Sequence, residues 1–145
     1  MIYRKAKLSD VPEIVEIAVL SVSIDPFPVN ISRKAMADTV QACINPAHFV
    51  WVAEDDGKVV AAVVACVQQS FWYEKMSCSV LLYFTTVKGA GLPLIREFAR
   101  WVKSRSGIKV AEFTLEPNVD PRLLKVLRRI GFTRQSISLS YVRGM

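Results

Sequence analysis

A short turn containing two glycines restricts the fold of this chain more than any other feature of the sequence. It reads Thr86-Val-Lys-Gly-Ala-Gly-Leu-Pro93, and it joins the apolar run 80–84 to the amphipathic run 94–102. These runs predict a strand followed by a helix. Glycine lets the backbone turn tightly and lets a ligand approach, and a helix start offers unbonded N–H groups at the positive end of its dipole. The segment therefore predicts a phosphate-binding turn, although glycines at such a point often serve only the change of direction.

Length and composition indicate one folded domain covering residues 1–145. The chain is 52% hydrophobic and 22% charged, which excludes an intrinsically disordered sequence. No apolar run is long enough to cross a bilayer, and the longest, 59–67, suits a buried strand. The opening Met-Ile-Tyr-Arg-Lys is not followed by the apolar core of a signal peptide. We therefore expect a cytoplasmic protein with no membrane association.

Positive charge is concentrated in the second half of the chain. Residues 1–87 carry seven Lys and Arg against nine Asp and Glu, whereas residues 88–145 carry twelve against four. This asymmetry favours a polyanionic partner on that side, although solvated helix faces explain many of these charges. Nucleic-acid binding ranks last among the hypotheses because no recognition motif is visible. It would use Arg96, Arg100, Lys103, Arg122, Arg128 and Arg129.

The cysteines and the single histidine do not indicate a metal or nucleophilic site. Cys43, Cys66 and Cys78 form an odd set without metal-type spacing, so we expect no metal and interpret them as buried apolar residues. Cys66 and Cys78 fall in strands that are predicted to be neighbours. His48 directly precedes an apolar run, which favours a histidine at a strand edge over a catalytic one.

The remaining pattern gives an alternating order of strands and helices. Apolar periodicity, caps and turn residues predict strands over 2–5, 49–54, 58–67, 77–86, 109–115 and 136–142 and helices over 10–22, 32–44, 92–106 and 121–130. Asp55-Asp-Gly57 predicts a hairpin turn, and Asp25-Pro-Phe-Pro28 predicts a break after the first helix. Asp120 followed by Pro121 is typical of a helix start, and Gly131-Phe132 ends that helix.

With the glycine turn after the fourth strand and Gly131-Phe132 after the last helix, the chain resembles the GCN5-related N-acetyltransferase (GNAT) superfamily. The opening Tyr-Arg-Lys-Ala-Lys-Leu-Ser-Asp-Val-Pro-Glu-Ile is also similar to that family's first strand and helix. The resemblance implies an α/β fold with a mixed, mostly antiparallel central sheet. It implies that this sheet is splayed between strands 4 and 5, is flanked by about four helices and holds acetyl-CoA in the gap.

The resemblance also implies a set of cofactor-binding residues. The family pattern Gln/Arg-x-x-Gly-x-Gly/Ala falls on Thr86, Gly89 and Gly91, so both glycines match and Thr86 departs from it. Pro93 removes one donor from the first helical turn. Lys88 offsets this loss if its charge contacts the phosphate, and is otherwise a solvated lysine of the turn. The expected contacts to acetyl-CoA are Phe84, Thr85, Thr86, Val87, Lys88, Gly89, Ala90, Gly91 and Leu92.

The catalytic residues are less well defined than the cofactor-binding ones. Leu127 occupies the position at which the family often has a tyrosine that protonates the leaving thiolate, and the fourth strand has no carboxylate. Glu116 and Tyr83 are the catalytic candidates. Each also has a structural interpretation, Glu116 as an exposed acid at a strand end and Tyr83 as a packing residue. Glu54 and Tyr141 stay open as further candidates for the same role.

The expected function is transfer of an acetyl group from acetyl-CoA to a primary amine in a direct ternary complex. The acceptor is a small molecule or a protein, and the aromatic segment Phe71-Trp72-Tyr73 is placed by the resemblance near the acceptor. The departures at Thr86 and Leu127 favour an alternative, a catalytically degenerate GNAT-like binding or assembly protein, for example viral or regulatory. A homodimer stays open as the assembly.

Overall fold

The computed structural model describes residues 1–24, 29–116 and 119–144, and the predicted break at 25–28 lies outside them. The strands are β1 (Ile2–Lys5), β2 (Phe49–Asp55), β3 (Lys58–Gln69), β4 (Met76–Thr85) and β5 (Ile108–Glu112). The α-helices are α1 (Val11–Ile24), α2 (Arg33–Cys43), α3 (Leu92–Ser104) and α4 (Pro121–Ile130), with a 3-10 turn over Leu8–Asp10. No helix in these ranges has the length and apolar character that a bilayer crossing needs.

The five strands form one mixed sheet in the order in which they occur along the chain. β1 to β4 are antiparallel neighbours, and β5 lies parallel to β4. The hairpin turn between β2 and β3 is present, with Asp56 and Gly57 both at positive φ. β3 is buried over most of its length, as the loss of polar alternation after Lys58 predicts.

The two faces of the sheet carry separate cores. α3 covers one face, where Leu94 and Phe98 pack on residues from β2, β3 and β4. α1 and α2 cover the other, where Ile14, Ile17 and Val40 pack on the opposite side chains of β2 and β3. This alternation of faces along β3 follows from the period of two of a strand.

β4 and β5 pair over only part of their length and then separate. The paired residues run from Met76 with Ile108 to Ser79 with Glu112; β4 then continues to Thr85, whereas β5 ends. The predicted splay between strands 4 and 5 is therefore confirmed. From Val80 to Thr85, the edge of β4 that faces β5 therefore has no strand partner.

A β-bulge in β4 lies directly beyond the point of separation. Val64 pairs with Leu82 and Ala65 pairs with Val80, so Leu81 has no partner on β3. A bulge breaks the alternation of side chains. Leu81 consequently lies on the same face as Leu82, the face that α1 and α2 cover.

The C-terminal segment differs from the prediction. The expected strand over 136–142 does not pair with the sheet, and the strand expected over 109–115 ends at Glu112. Ile137, Leu139 and Tyr141 are 89%, 93% and 82% exposed. The alternation of apolar and serine residues describes a local conformation, but a strand also needs a neighbour with free main-chain groups, which periodicity does not supply.

A partly buried ion pair joins β1 to the start of α1. Asp10, 5% exposed, accepts hydrogen bonds from Arg4 Nη1 at 2.7 Å, from Arg4 Nη2 at 2.9 Å and from the amide of Lys7 at 2.7 Å. Glu54 lies 3.5 Å from the same guanidinium. The hydrogen bonds from Arg4, and then that from Lys7, hold the pKa of Asp10 below its ordinary value despite burial.

We expect Asp10→Asn to lower the free energy of unfolding by about 3 kcal/mol, because it leaves the Arg4 guanidinium partly buried without its main partner. Asp38→Asn is the matched control, since it removes the exposed pair with Lys34 and should cost less than about 1 kcal/mol. Urea denaturation of both variants measures the difference. Equal losses would contradict the role of the Asp10 pair.

The same pair predicts a pH dependence of stability. The pKa of Asp10 is lower in the folded chain than its ordinary value of 3.8. The contribution of the Asp10 carboxylate to the free energy of unfolding is therefore complete above pH 3.8 and is lost as the pH falls through the folded-state pKa. Unfolding of Asp10→Asn should lack this part of the acid dependence.

Candidate functional site

The glycine turn presents a group of free amides at the open end of the splay. The N–H groups of Lys88, Gly89, Gly91, Leu92 and Leu94 have no hydrogen-bond acceptor within the described residues. The first N–H groups of a helix have no partner in the helix itself, so those at the start of α3 point out of its end. Together with the helix dipole they form an arrangement that binds anions.

The two positions of the turn require glycine for different structural reasons. Gly89 has φ of +81°, a conformation that side chains disfavour, and a Cβ there would meet nothing within 4 Å. Its surroundings are therefore open to a ligand. Gly91 is buried, and a Cβ there would overlap the hydroxyl of Tyr83. Gly91 thus allows the Tyr83 side chain to lie directly beneath the turn.

The hydroxyl groups at the end of β4 bond to the protein's own main chain. Thr86 Oγ1 donates to the carbonyl of Val60 at 2.9 Å, and the Thr86 amide donates to the same carbonyl at 2.8 Å. Thr85 Oγ1 donates to the carbonyl of Val87 and accepts from its amide. The amide of Ala90 donates to the Val87 carbonyl. These bonds brace the turn, so the free donors are those of Lys88 and the residues at the helix start.

One cationic side chain belongs to the turn itself. Lys88 is exposed on the turn. The carboxyl of Asp120, at the N-terminus of α4, has a pKa held below its ordinary value, mainly by Arg122 and to a smaller extent by Lys88. Asp120 accepts from the amide of Arg122 at 2.9 Å, which confirms it as a helix cap.

The separated part of β4 supplies further main-chain groups. From Val80 to Thr85 the edge that faced β5 has no strand partner. At the bulge, Leu81 also lacks a partner on β3 and is 49% exposed. Sequence reasoning missed Leu81, because no residue type in this apolar stretch marks the extra position.

Tyr83 lies inside the splay. Its ring contacts Phe113 edge to face at a centroid distance of 5.5 Å, and Phe113 packs in turn on Phe132 at 6.2 Å. Burial raises the pKa of the Tyr83 hydroxyl. The hydroxyl therefore stays protonated, which suits a hydrogen-bond donor better than a base. It makes no hydrogen bond to the described residues, yet it is not fully enclosed.

Glu116 lies in the segment that follows β5. Ser79 and Glu112 are the last paired residues of β4 and β5. Glu116 follows Glu112 by the same number of residues as Tyr83 follows Ser79. The Glu116 side chain is exposed and has no ion pair within the described residues. The Glu116 carboxylate is therefore available to an outside partner, and its role at the splay stays a prediction.

The other candidates lie elsewhere. Glu54 is engaged with Arg4 on the β1–β2 side of the sheet. Tyr141 is 82% exposed in the unpaired C-terminal segment, with Arg143 over its ring at 5.8 Å. Leu127 is 2% exposed and packs in the interior. The contacts of Glu54 and Tyr141 within the described residues are thus to Arg4 and Arg143, and their roles stay predictions.

The histidine and the cysteines have structural roles. His48 Nδ1 accepts from the amide of Val67 at 2.9 Å, just where β2 no longer covers β3. Cys43 and Cys78 are buried, and burial raises the pKa of Cys78 to about 12. Cys66 and Cys78 lie on the neighbouring strands β3 and β4, as predicted.

The aromatic segment 71–73 lies at the far end of β4 from the glycine turn. Phe71 and Trp72 are 90% and 92% exposed on a loop that Gln69 and Ser70 brace through hydrogen bonds. Several residues of the basic set are engaged within the protein: Arg100 with Glu97, Arg122 with Asp120, and Lys103 with the carbonyl of Ile130.

Comparisons with known proteins rest on structure. No family model matches the sequence, and no curated protein matches it at the sequence level. The structure is similar to that of a predicted acetyltransferase with acetyl-CoA from Clostridium acetobutylicum, with a TM-score of 0.74 and 18% identity over 97% of this chain and 95% of that one.

Two similar structures have named acceptors. Glucosamine-6-phosphate N-acetyltransferase from Arabidopsis thaliana has a TM-score of 0.69 and 14% identity, over 98% of this chain and 97% of that one. An aminoglycoside acetyltransferase from an uncultured soil metagenomic sample, in complex with sisomicin, has a TM-score of 0.66 and 15% identity, over 99% and 95%. The splayed mixed sheet, its flanking helices and these likenesses together show that the chain has the GNAT acyltransferase fold.

Proposed function

We propose that this protein is an N-acetyltransferase that transfers an acetyl group from acetyl-CoA to a primary amine in a direct ternary complex. The observation that carries the proposal is the group of acceptor-free amides on the glycine turn, placed at the open end of the splay. The fold that the chain shares with known acetyltransferases supports it. Acetyl-CoA supplies the activated thioester, and the chain's own residues bind it and bring the amine to it.

The free amides fit the diphosphate of a coenzyme A molecule. Those of Gly89, Gly91 and Leu92 are charge-assisted donors to phosphate oxygens when the ligand is bound, and Lys88 adds a cation. The open space at Gly89 lets phosphate approach the main chain. The unpaired edge of β4 from Val80 offers N–H and C=O groups to the amide-containing arm of the same ligand, in the manner of an added strand.

Three functions remain for residues near the reacting centre. A donor must stabilise charge on the thioester oxygen, and our candidate is a main-chain N–H of β4 beyond its last pair with β5. A base must take a proton from the amine, and Glu116 is our candidate. A protonated group aids departure of the thiolate, and Tyr83, whose pKa is raised by burial, is our candidate.

We also propose that the protein forms a homodimer through its C-terminal segment. Ile137, Leu139 and Tyr141 are exposed on alternate residues, and β5 pairs only with β4 within the described residues, so its outer edge is open. A free edge and an unpaired strand-like segment are complementary. In a two-fold dimer the segment of each copy covers β5 of the other.

Titration calorimetry tests binding. We expect acetyl-CoA to bind and Gly89→Val to weaken binding at least about tenfold, because one or two hydrogen bonds to a charged group, each worth about 1.5–3 kcal/mol, are lost. Gly57→Val is the matched control, since Gly57 has a similar positive φ and open surroundings but lies in the β2–β3 hairpin. Absence of binding to the native chain at millimolar ligand would overturn the proposed function.

Release of coenzyme A in the presence of amines tests catalysis. We expect Glu116→Gln to lower kcat/KM about a hundredfold with little change in the Kd of acetyl-CoA, as loss of a general base does. Tyr83→Phe should lower kcat with little change in the Kd of acetyl-CoA, since the ring and its contact with Phe113 remain. Tyr3→Phe, on β1 at the opposite edge of the sheet, is the control. Binding without turnover by the native chain would instead favour the degenerate binding or assembly protein.

Sedimentation velocity tests the dimer. We expect Leu139→Asp to convert it into a monomer, because the new carboxylate would be buried against β5 of the partner copy. Phe71→Asp places the same charge at another exposed apolar residue and should leave the dimer intact. A native chain that sediments as a monomer at high micromolar concentration would contradict this assembly.

A further inference from the structure

An apolar cavity that is open to solvent on one side lies on the other face of the sheet, next to the bulge. It has a volume of about 330 Å³ and lies between α1, α2 and the middle of β4, where Leu81 and Leu82 line it. Its position follows from the bulge, which turns the side chains of both leucines to the face of α1 and α2. The cavity thus adjoins the part of β4 at which the separation from β5 begins.

The walls of the cavity carry no charge. Its lining contains aliphatic residues from both helices, including Val22 and Met36, and its only polar side chains are the hydroxyls of Ser21 and Thr39. The nearby cations on α2 are already paired, Arg33 with Glu16 and Lys34 with Asp38. Within the described residues, the cavity therefore offers no carboxylate for a polycation and no free cation for a phosphate.

From this arrangement we infer that the acceptor is an amine carrying a compact apolar group, such as an arylalkylamine or a short alkylamine. The inference rests on the proposed function and specifies its acceptor. A cavity of about 150 Å³ holds benzene, so this one has room for a ring and a short chain. An aminoglycoside or a sugar phosphate would lose the hydration of its charged groups here without gaining partners.

The same chemistry helps to prepare the amine. An ammonium group that enters an apolar environment loses hydration, which lowers its pKa and favours the neutral, nucleophilic form. The chain has no carboxylate on β4, so desolvation by the cavity reduces what the base must supply. The nitrogen attacks the thioester carbon, its proton passes to Glu116 or water, and the carbon–sulfur bond breaks to give the amide and the thiol.

The test compares acceptors and one pair of variants. We expect 2-phenylethylamine and pentylamine to be acetylated with higher kcat/KM than kanamycin or glucosamine-6-phosphate, with products identified by mass spectrometry. Ala35→Phe fills the cavity from an exposed position on α2 and should raise KM for 2-phenylethylamine at least about tenfold, with the Kd of acetyl-CoA unchanged. Ala42→Phe, exposed on the same helix but outside the cavity, should change neither.

Binding of the amine alone separates this inference from the proposed function. With methyl-labelled methionine, the Met36 signal should shift on addition of 2-phenylethylamine without acetyl-CoA, whereas that of Met76 at the start of β4 should not. Faster turnover of either charged acceptor, or an unchanged KM in Ala35→Phe, would overturn the acceptor class while leaving the acetyltransferase intact. Lack of acetyl-CoA binding with a shifted Met36 signal would overturn the function but keep the apolar amine site.

Discussion

The separation of β4 from β5 after Ser79 is the constraint on which the rest of the structure depends. Tyr83 and Phe113 pack edge to face where the strands diverge, and Phe132 and Phe98 extend this cluster beneath α3. Rings of this size occupy the space that a continued ladder would close. β4 is thereby left with main-chain groups that need a partner, which water or an extended ligand supplies.

Two local features, the glycine turn and the β4 bulge, lie on opposite faces of the sheet beside this opening. The glycine turn places free amides at its upper end, on the side of α3. The bulge at Leu81 turns a side chain toward α1 and α2, where the apolar cavity lies. One ligand can therefore occupy the splay while another approaches the same stretch of β4 from the opposite face. The direct ternary complex that we propose would need this arrangement.

The glycine turn and the cavity beside the bulge differ in charge. Lys88 and the amides at the start of α3 favour an anion, and the second half of the chain carries most of the positive charge. The cavity beside the bulge is uncharged, and the ion pairs on α2 are self-contained. A phosphate-bearing carrier and an apolar amine would thus be sorted to different sides by charge and desolvation.

The sequence by itself determined the features that depend on near neighbours in the chain. Periodicity located β1 to β4 and all four helices, Asp120 capped α4, and the glycines fixed the turn before α3. Tertiary structure alone decided the bulge at Leu81, the inward hydroxyl of Thr86, the approach of Tyr83 to Gly91 and the unpaired segment over 136–142. Each of these depends on which main-chain group or side chain of a distant segment lies opposite, and local residue preferences carry no information about that partner.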